Sequence, residues 1–231
     1  MDHPGSGRSG DARVLRSRPP LAAGEPRAPA RALRRECAVI ADRPVFRPLT
    51  IDRWDDLVDL FGPERGACAG CWCMWPRIRG VEFKALSRAA RRARFRRLVA
   101  LGPAPGLLAY ERDTAVGWVA VSPRRAVHRF NIARKSAPTT PDEDLDRTWA
   151  ITCFYVRASH RGRGLTRALA DAAIAYARRN KARRIDVCAV EPEKRLGWGD
   201  AFVGVASSLR PLGFTEIARR TPRRPLLRIE L

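Results

Sequence analysis

Lysine is nearly missing from this chain of 231 residues: four of its 45 basic residues are lysines and the other 41 are arginines. No apolar run is long enough to span a bilayer, which excludes a membrane helix of ordinary length. The first 44 residues carry five acids and no continuous apolar core, so they do not read as a secretory signal. Without a secretory context the six cysteines are not expected to form a disulfide framework, and the expected location is cytoplasmic. Tyrosine is confined to Tyr110, Tyr155 and Tyr176, and His128 and His160 stand isolated, so few side chains are available for proton transfer near neutral pH. No Gly-Lys-Ser/Thr closes a Gly-x4 spacer, which excludes a Walker A loop, and no aromatic-interleaved strand of the RNA-recognition type is present.

The net charge is +21, which invites a nucleic-acid reading. The arginines are spread over most segments, however, and an arginine-for-lysine bias also follows from a GC-rich coding sequence. Nucleic acid is therefore not the expected partner. Residues 1–44 hold six prolines, four glycines and little periodic apolar sequence, and read as a disordered extension. Residues 45–231 are enough for one domain with a buried core.

Within that domain the most informative stretch runs from Thr148 to Asn180. Ile151-Thr152-Cys153-Phe154-Tyr155-Val156 is rich in β-branched and aromatic residues and predicts a buried strand. Leu165, Ala168, Leu169, Ala172, Ala173 and Tyr176 recur at steps of three and four and predict one face of a helix. Between them lies the basic turn Ser159-His160-Arg161-Gly162-Arg163-Gly164. A strand that enters a helix through glycines leaves backbone N–H groups without partners at the positive end of the helix dipole, a natural seat for phosphate. Only two glycines fall in the turn, and Thr166 stands where a dinucleotide fingerprint would place a third.

The arrangement Arg161-x-x-Gly164-x-Thr166 after Phe154-Tyr155-Val156 resembles the acyl-CoA pyrophosphate loop of the GNAT acyltransferase superfamily, whose pattern is Arg/Gln-x-x-Gly-x-Gly/Ala. Arg161 and Gly164 match; Thr166 departs, at little cost if its backbone N–H is the group that matters. The flanks extend the resemblance. Val45 to Thr50 predicts a strand, and Ile51 to Trp54 opens a helix with Thr50 or Asp52 placed to cap it. Val81 to Leu101 predicts a second helix with Phe83, Leu86, Ala90 and Ala93 on its buried face. Gly106–Tyr110 and Gly117–Val121 predict a hairpin, followed by a loop from Pro123 to Asp146 with a short apolar piece near Val127–Ile132. Ile185 to Val190 predicts a strand, Trp198 to Leu212 a partly helical segment stopped by Gly213, and residues 216–218 and 226–229 two closing strands. This order, with the Gly213-Phe214 pair after the last helix, looks like the α/β (α+β) GNAT fold, a mixed central sheet flanked by helices.

The resemblance implies an N-acetyltransferase that moves an acetyl group from acetyl-CoA directly to a primary amine of a small molecule or peptide in a ternary complex. It implies that Arg161, Gly162, Arg163, Gly164, Leu165 and Thr166 hold the pyrophosphate and that the strand at Tyr155 and Val156 supplies a backbone N–H to the thioester oxygen. Many family members carry a tyrosine four residues before the Gly-Phe pair; this chain has Leu209 there, with Ser207 and Ser208 beside it. Glu191, after the strand ending at Val190, is the expected general base, with Ser208 the nearest hydroxyl and Asp200 a further carboxylate. The Leu209 departure keeps open a second implication, an acyl-CoA-binding module without catalysis.

Cys68-Ala69-Gly70-Cys71-Trp72-Cys73 has thiol spacing found in zinc sites, but no fourth ligand is evident and no metal is expected. The segment resembles Cys-Trp-Cys-Met stretches in a bacterial subgroup of the superfamily. Because the region between the first two helices borders the amine pocket in this fold, the resemblance implies that Trp72, Met74 and Trp75 line it; packing over the core accounts for the same residues equally well. Asp142-Glu143-Asp144 offers negative charge to a cationic amine, or is simply solvated. Nothing in the sequence marks an oligomer interface.

Overall fold

The computed structural model describes residues 43–62, 67–193 and 201–231; the expected extension at 1–44 falls almost wholly outside them, as do Trp198 and Asp200. Seven strands form one sheet in the order β1-β2-β3-β4-β5-β7-β6. They are β1 (Val45–Pro48), β2 (Gly106–Glu111), β3 (Thr114–Pro123), β4 (Thr148–Val156), β5 (Arg184–Cys188), β6 (Thr215–Ala218) and β7 (Leu226–Glu230). Every neighbouring pair is antiparallel except β4 and β5. This is the mixed sheet that the sequence predicts.

Helices cover both faces. The helix α1 (Trp54–Phe61) follows a single 3-10 turn at Ile51–Arg53. Neither Thr50 nor Asp52 caps it; the Thr50 hydroxyl instead accepts from the Arg53 guanidinium. The single helix expected from Val81 to Leu101 is two, α2 (Gly80–Ala85) and α3 (Arg88–Leu101). Ser87 separates them because its hydroxyl accepts the Ala90 N–H at 3.1 Å, a cap that starts a new helix. The restart changes the helical phase, so α3 buries Phe95 and Val99 while Ala93 faces solvent. The apolar piece after β3 is the short helix α4 (His128–Ile132).

On one face of the sheet α5 (Leu165–Arg179) packs Leu165, Leu169, Ala173, Ile174 and Ala177 against Val119, Val121, Ile151 and Ile185. On the other, Trp54, Leu57, Phe61, Trp72 and Phe95 cover Leu108, Tyr110, Trp118 and Ala120. Strand alternation assigns consecutive side chains to the two cores: Leu107 and Ala109 to the first, Leu108 and Tyr110 to the second. A short α6 (Ala206–Leu209) and a 3-10 turn lead to Gly213, whose φ of 97° ends the segment as expected.

The β4 strand is irregular where it matters. Its parallel pairing with β5 covers only Thr148 to Ile151. At the same point its register with β3 slips: Val121 faces Ile151 but Ala120 faces Cys153, so Thr152 is an extra residue. From Thr152 to Val156 the strand keeps β3 on one edge and loses β5 on the other, which opens a wedge.

The segment between β3 and β4 is fastened by buried charge. Arg124 is fully buried and donates to the Asp186 carboxylate on β5, to the Ser136 carbonyl at 2.6 Å and to Asn131 Oδ1 at 3.0 Å. Arg228 on β7 joins Asp186 at 2.7 Å and also pairs with Glu143. Glu143 is thus a buried counter-ion and does not offer its charge to a passing amine, which corrects the expectation for the acidic loop. Removing one member of such a cluster leaves a guanidinium without its partner in a dry site. Asp186→Ala is expected to lower unfolding free energy by ~3–5 kcal/mol in urea titration; a loss within experimental error of zero would contradict this role.

Candidate functional site

The chain leaves β4 through Arg157, whose N–H donates to the Val116 carbonyl at 2.9 Å, and turns once at Ala158–His160. Gly162 and Gly164 then adopt φ of 74° and 78°, a region that disfavours side chains, and α5 begins at Leu165. A Cβ built on either glycine meets nothing within 4 Å, so both open onto free space. Among the described residues none accepts a hydrogen bond from the amides of Gly162, Arg163, Gly164, Leu165 or Thr166. Five successive free donors at the start of a helix of fifteen residues, with glycine where a ligand must come close, fit a pyrophosphate. Arg161 folds back to donate to the Val156 carbonyl at 3.1 Å, and Arg163 is exposed.

The strand end beside this turn is aromatic. Tyr155 is half-buried between Phe61, edge-on at 5.3 Å, and Phe202, stacked at 6.1 Å; Val156 is half-buried next to it. Beyond β5, Val190 bridges to Val205, and Gly204 lies so close to Phe154 that a Cβ there would approach its ring to 2.8 Å. The 202–206 segment thus packs against the half of β4 that β5 leaves, and the glycine turn follows that strand end in the chain.

The remaining site candidates do not converge on it equally. Glu191 is held by Arg219 at 2.5 Å and Arg210 at 3.0 Å, and Glu216 shares both arginines. The hydrogen bonds from Arg219 and then Arg210 keep its carboxyl below the usual range, which makes it a poorer base than the sequence leads one to expect. Ser208 is half-buried on α6, and Leu209 is fully buried in the core. Trp72 and Met74 are core residues, each 2% exposed. Trp72 packs on Trp54 at 5.9 Å and borders a cavity of about 640 Å³ between α1 and α3 lined by Arg88, Arg92 and Arg96, not the wedge. Trp75, 43% exposed, packs on Phe83 and lies under the Arg129 guanidinium at 3.8 Å. Of the three expected pocket residues it alone presents a substantial face to a ligand.

One cluster escaped the sequence reading. Arg77 is buried, donates to Ser122 Oγ at 2.9 Å and to the Ala126 carbonyl at 3.3 Å, and has no carboxylate beside it among the described residues. Cys73 Sγ accepts from Trp118 Nε1 at 3.2 Å. The four-residue step from Cys73 to Arg77 was visible, but the strand partners were not.

A sequence-family model described as the Acetyltransferase (GNAT) family matches residues 54–196. The chain belongs to the GNAT acetyltransferase family. Solved structures similar in fold include the GNAT domain of S. lividans PAT (18% identity, 81% of this chain and 90% of that one, TM-score 0.48). Another is yncA of Salmonella typhimurium, determined with its cofactor acetyl-CoA (17% identity, 82% and 95% coverage, TM-score 0.46). A third is the PaiA N-acetyltransferase of Thermoplasma acidophilum, determined with coenzyme A (10% identity, 82% and 99% coverage, TM-score 0.45). A comparison with curated proteins found no match. Among the described residues of this GNAT protein, no helix is long and apolar enough to cross a membrane, and no three His, Cys, Asp or Glu side chains cluster to hold a metal.

Glu191 links this surface ion-pair cluster to pH. Its lowered folded-state pKa means that the ion pairs contribute above the unfolded-state pKa and are lost as pH falls through the folded one. A carbon-13 NMR titration of the Glu191 carboxyl is expected to show protonation only below the ordinary glutamate range. A midpoint near neutrality would restore it as a base.

Proposed function

We propose that this GNAT protein transfers an acetyl group from acetyl-CoA to a primary amine of a small molecule or peptide, by direct attack in a ternary complex. The observation that carries the reading is the run of five unpartnered amides from Gly162 to Thr166 at the mouth of the β4–β5 wedge. That turn holds the pyrophosphate, with Arg163 adding charge from the side and Arg161 bracing the strand end. The complexes of the Salmonella and Thermoplasma proteins support acyl-CoA as the ligand class.

The chemistry asked of the protein is modest. Acetyl-CoA supplies an activated acyl carbon with a tolerable leaving group. On the edge of β4 that β5 leaves free, Val156 presents a backbone N–H suited to the carbonyl oxygen as it gains negative charge, while the neighbouring Tyr155 N–H faces β3. Holding the amine against the thioester converts a bimolecular encounter into an intramolecular one, which can supply much of the acceleration. The amine needs a proton acceptor, and Glu191 in its double arginine clamp is weakly suited to that task. Buried Leu209 favours a second reading, a GNAT module that binds acyl-CoA without turnover.

The arginine excess supports nucleic-acid binding less than its count suggests. Arg77, Arg91, Arg157, Arg220 and Arg224 donate to backbone carbonyls, and Arg124 and Arg228 neutralise buried carboxylates. These groups act as internal fasteners.

Gly164→Glu places a side chain where φ is 78° and a negative charge where the phosphates would sit. Calorimetric titration of acetyl-CoA into the full chain is expected to show binding that this variant weakens on the order of 100-fold or more, since strain and like-charge repulsion together exceed ~2.7 kcal/mol. Equal binding by the variant would overturn the assignment of the loop. Binding by the wild type with no turnover of any amine would select the second reading.

A further inference from the structure

The arginines of α3 have two kinds of surroundings. Arg91 donates to the Phe83 and Gly70 carbonyls at 2.8 and 3.3 Å, and Arg94 pairs with Glu82. Arg88, Arg92 and Arg96 make no hydrogen bond or ion pair through their guanidinium groups among the described residues. Arg97 is also unpaired there, but it does not line a cavity. The other three stand four residues apart, in one row about 12 Å long from first to last. That row is the α3 wall of the cavity of about 640 Å³, whose other wall includes Trp54, Asp55 and Trp72. The lining shares no residue with the glycine turn or with the end of β4.

By itself the row works against its own helix. Like charges four residues apart repel. Arg88 also opens α3, and the first turn, where the helix dipole is already positive, holds no acid. The segment that faces the row carries backbone strain. Ala67, Ala69, Trp72 and Cys73 have φ of 61°, 50°, 46° and 51°, a region that disfavours side chains. This segment seats two of the arginines. A Cβ on Gly70 would meet Arg88 Cγ at 2.6 Å, so the Arg88 stem lies directly on that glycine. The Arg92 guanidinium sits 5.4 Å from the centre of the Trp72 ring, a cation–π contact that fixes it without neutralising it. Arg92 is half-buried, and Arg88 and Arg96 are exposed. Asp55 is the one acid in the lining.

We propose that the cavity between α1 and α3 is a second anion site, which takes a small molecule with two or more phosphoryl groups on Arg88, Arg92 and Arg96. The volume is that of a small-molecule site, which runs from about 300 to 1,000 Å³. Planar guanidinium forks match phosphoryl oxygens two at a time, and three forks in a row suit a chain of phosphoryl groups better than one isolated carboxylate. Asp55 repels negative charge from its own wall, so the phosphoryl end lies along α3 and a hydroxyl or amine of the ligand donates to Asp55. Bound phosphate removes the repulsion within the row and satisfies the positive end of the α3 dipole at once. The site is independent of the acyl-CoA reading of the wedge.

The test is calorimetric titration of inorganic triphosphate into the full chain carrying Gly164→Glu, at constant ionic strength. That substitution keeps the probe out of the glycine turn, and it changes nothing at α3 if the turn binds no phosphate. One saturable site is expected. Adding Arg92→Gln, or Arg88→Gln together with Arg96→Gln, is expected to weaken it on the order of tenfold or more. The second pair is exposed, so its loss of binding is read in a chain whose core is untouched. No saturable binding, or equal binding after the arginines are replaced, would overturn the proposal. Inorganic sulfate that displaces triphosphate equally well would overturn it too, since the row would then attract counter-ions in general. A single-stranded oligonucleotide that binds the same arginines more tightly than triphosphate would replace the small molecule with a nucleic-acid backbone and overturn the ligand class.

Discussion

The structure depends on one divergence. After Ile151 and Val187 the parallel neighbours β4 and β5 part, and the extra residue Thr152 bends β4 at the same place. Parallel pairing needs a crossover, which here is the turn at residues 157–164 and α5, so the free strand edge and the free helix amides lie together at the start of one connection. The core on both sides of the sheet fixes that geometry. Leu165 and Leu169 at the start of α5 pack within van der Waals reach of where a Cβ on Gly117 would be, so the first turn of the helix is seated directly on β3. A wedge for an acyl chain and a cradle for its phosphates thus follow from the same few residues.

Arginine provides the second organising constraint. Arg124 and Arg228 bind Asp186 and Glu143, Arg157 ties β4 to Ala115 and Asp59, and Arg220 and Arg224 hold loop carbonyls. A planar guanidinium with five donors can satisfy several carbonyls at once, which lysine cannot. Connecting segments with little secondary structure of their own are held this way. Arg77 fits the pattern incompletely, since no carboxylate joins it among the described residues.

Local features were legible in the sequence and non-local ones were not. The strand before the turn, the glycines and the periodic face of α5 depend on neighbours within a few residues, and the structure has them where the pattern puts them. The stop at Gly213 is local in the same sense. The break at Ser87 was hidden because the apolar spacing runs across it and only the cap reveals the restart. The bulge at Thr152 is a relation between two strands about thirty residues apart, invisible to periodicity. Glu191 was singled out for its place at a strand end, but its basicity is set by Arg210 and Arg219, which reach it from later in the chain. Trp72 and Met74 were equally compatible with pocket and core from their spacing; both are buried, and Trp72 also borders the cavity between α1 and α3.

The central claim is that one ligand engages the free edge of β4 and the helix-start amides together. Hydrogen exchange of the full chain with and without acetyl-CoA tests it most directly, because exchange reports each amide segment separately. The account predicts slowed exchange in two places, residues 152–156 and residues 162–166, with little change across α3. Protection confined to α3 and its arginine-lined cavity, or none in either predicted segment, would contradict it.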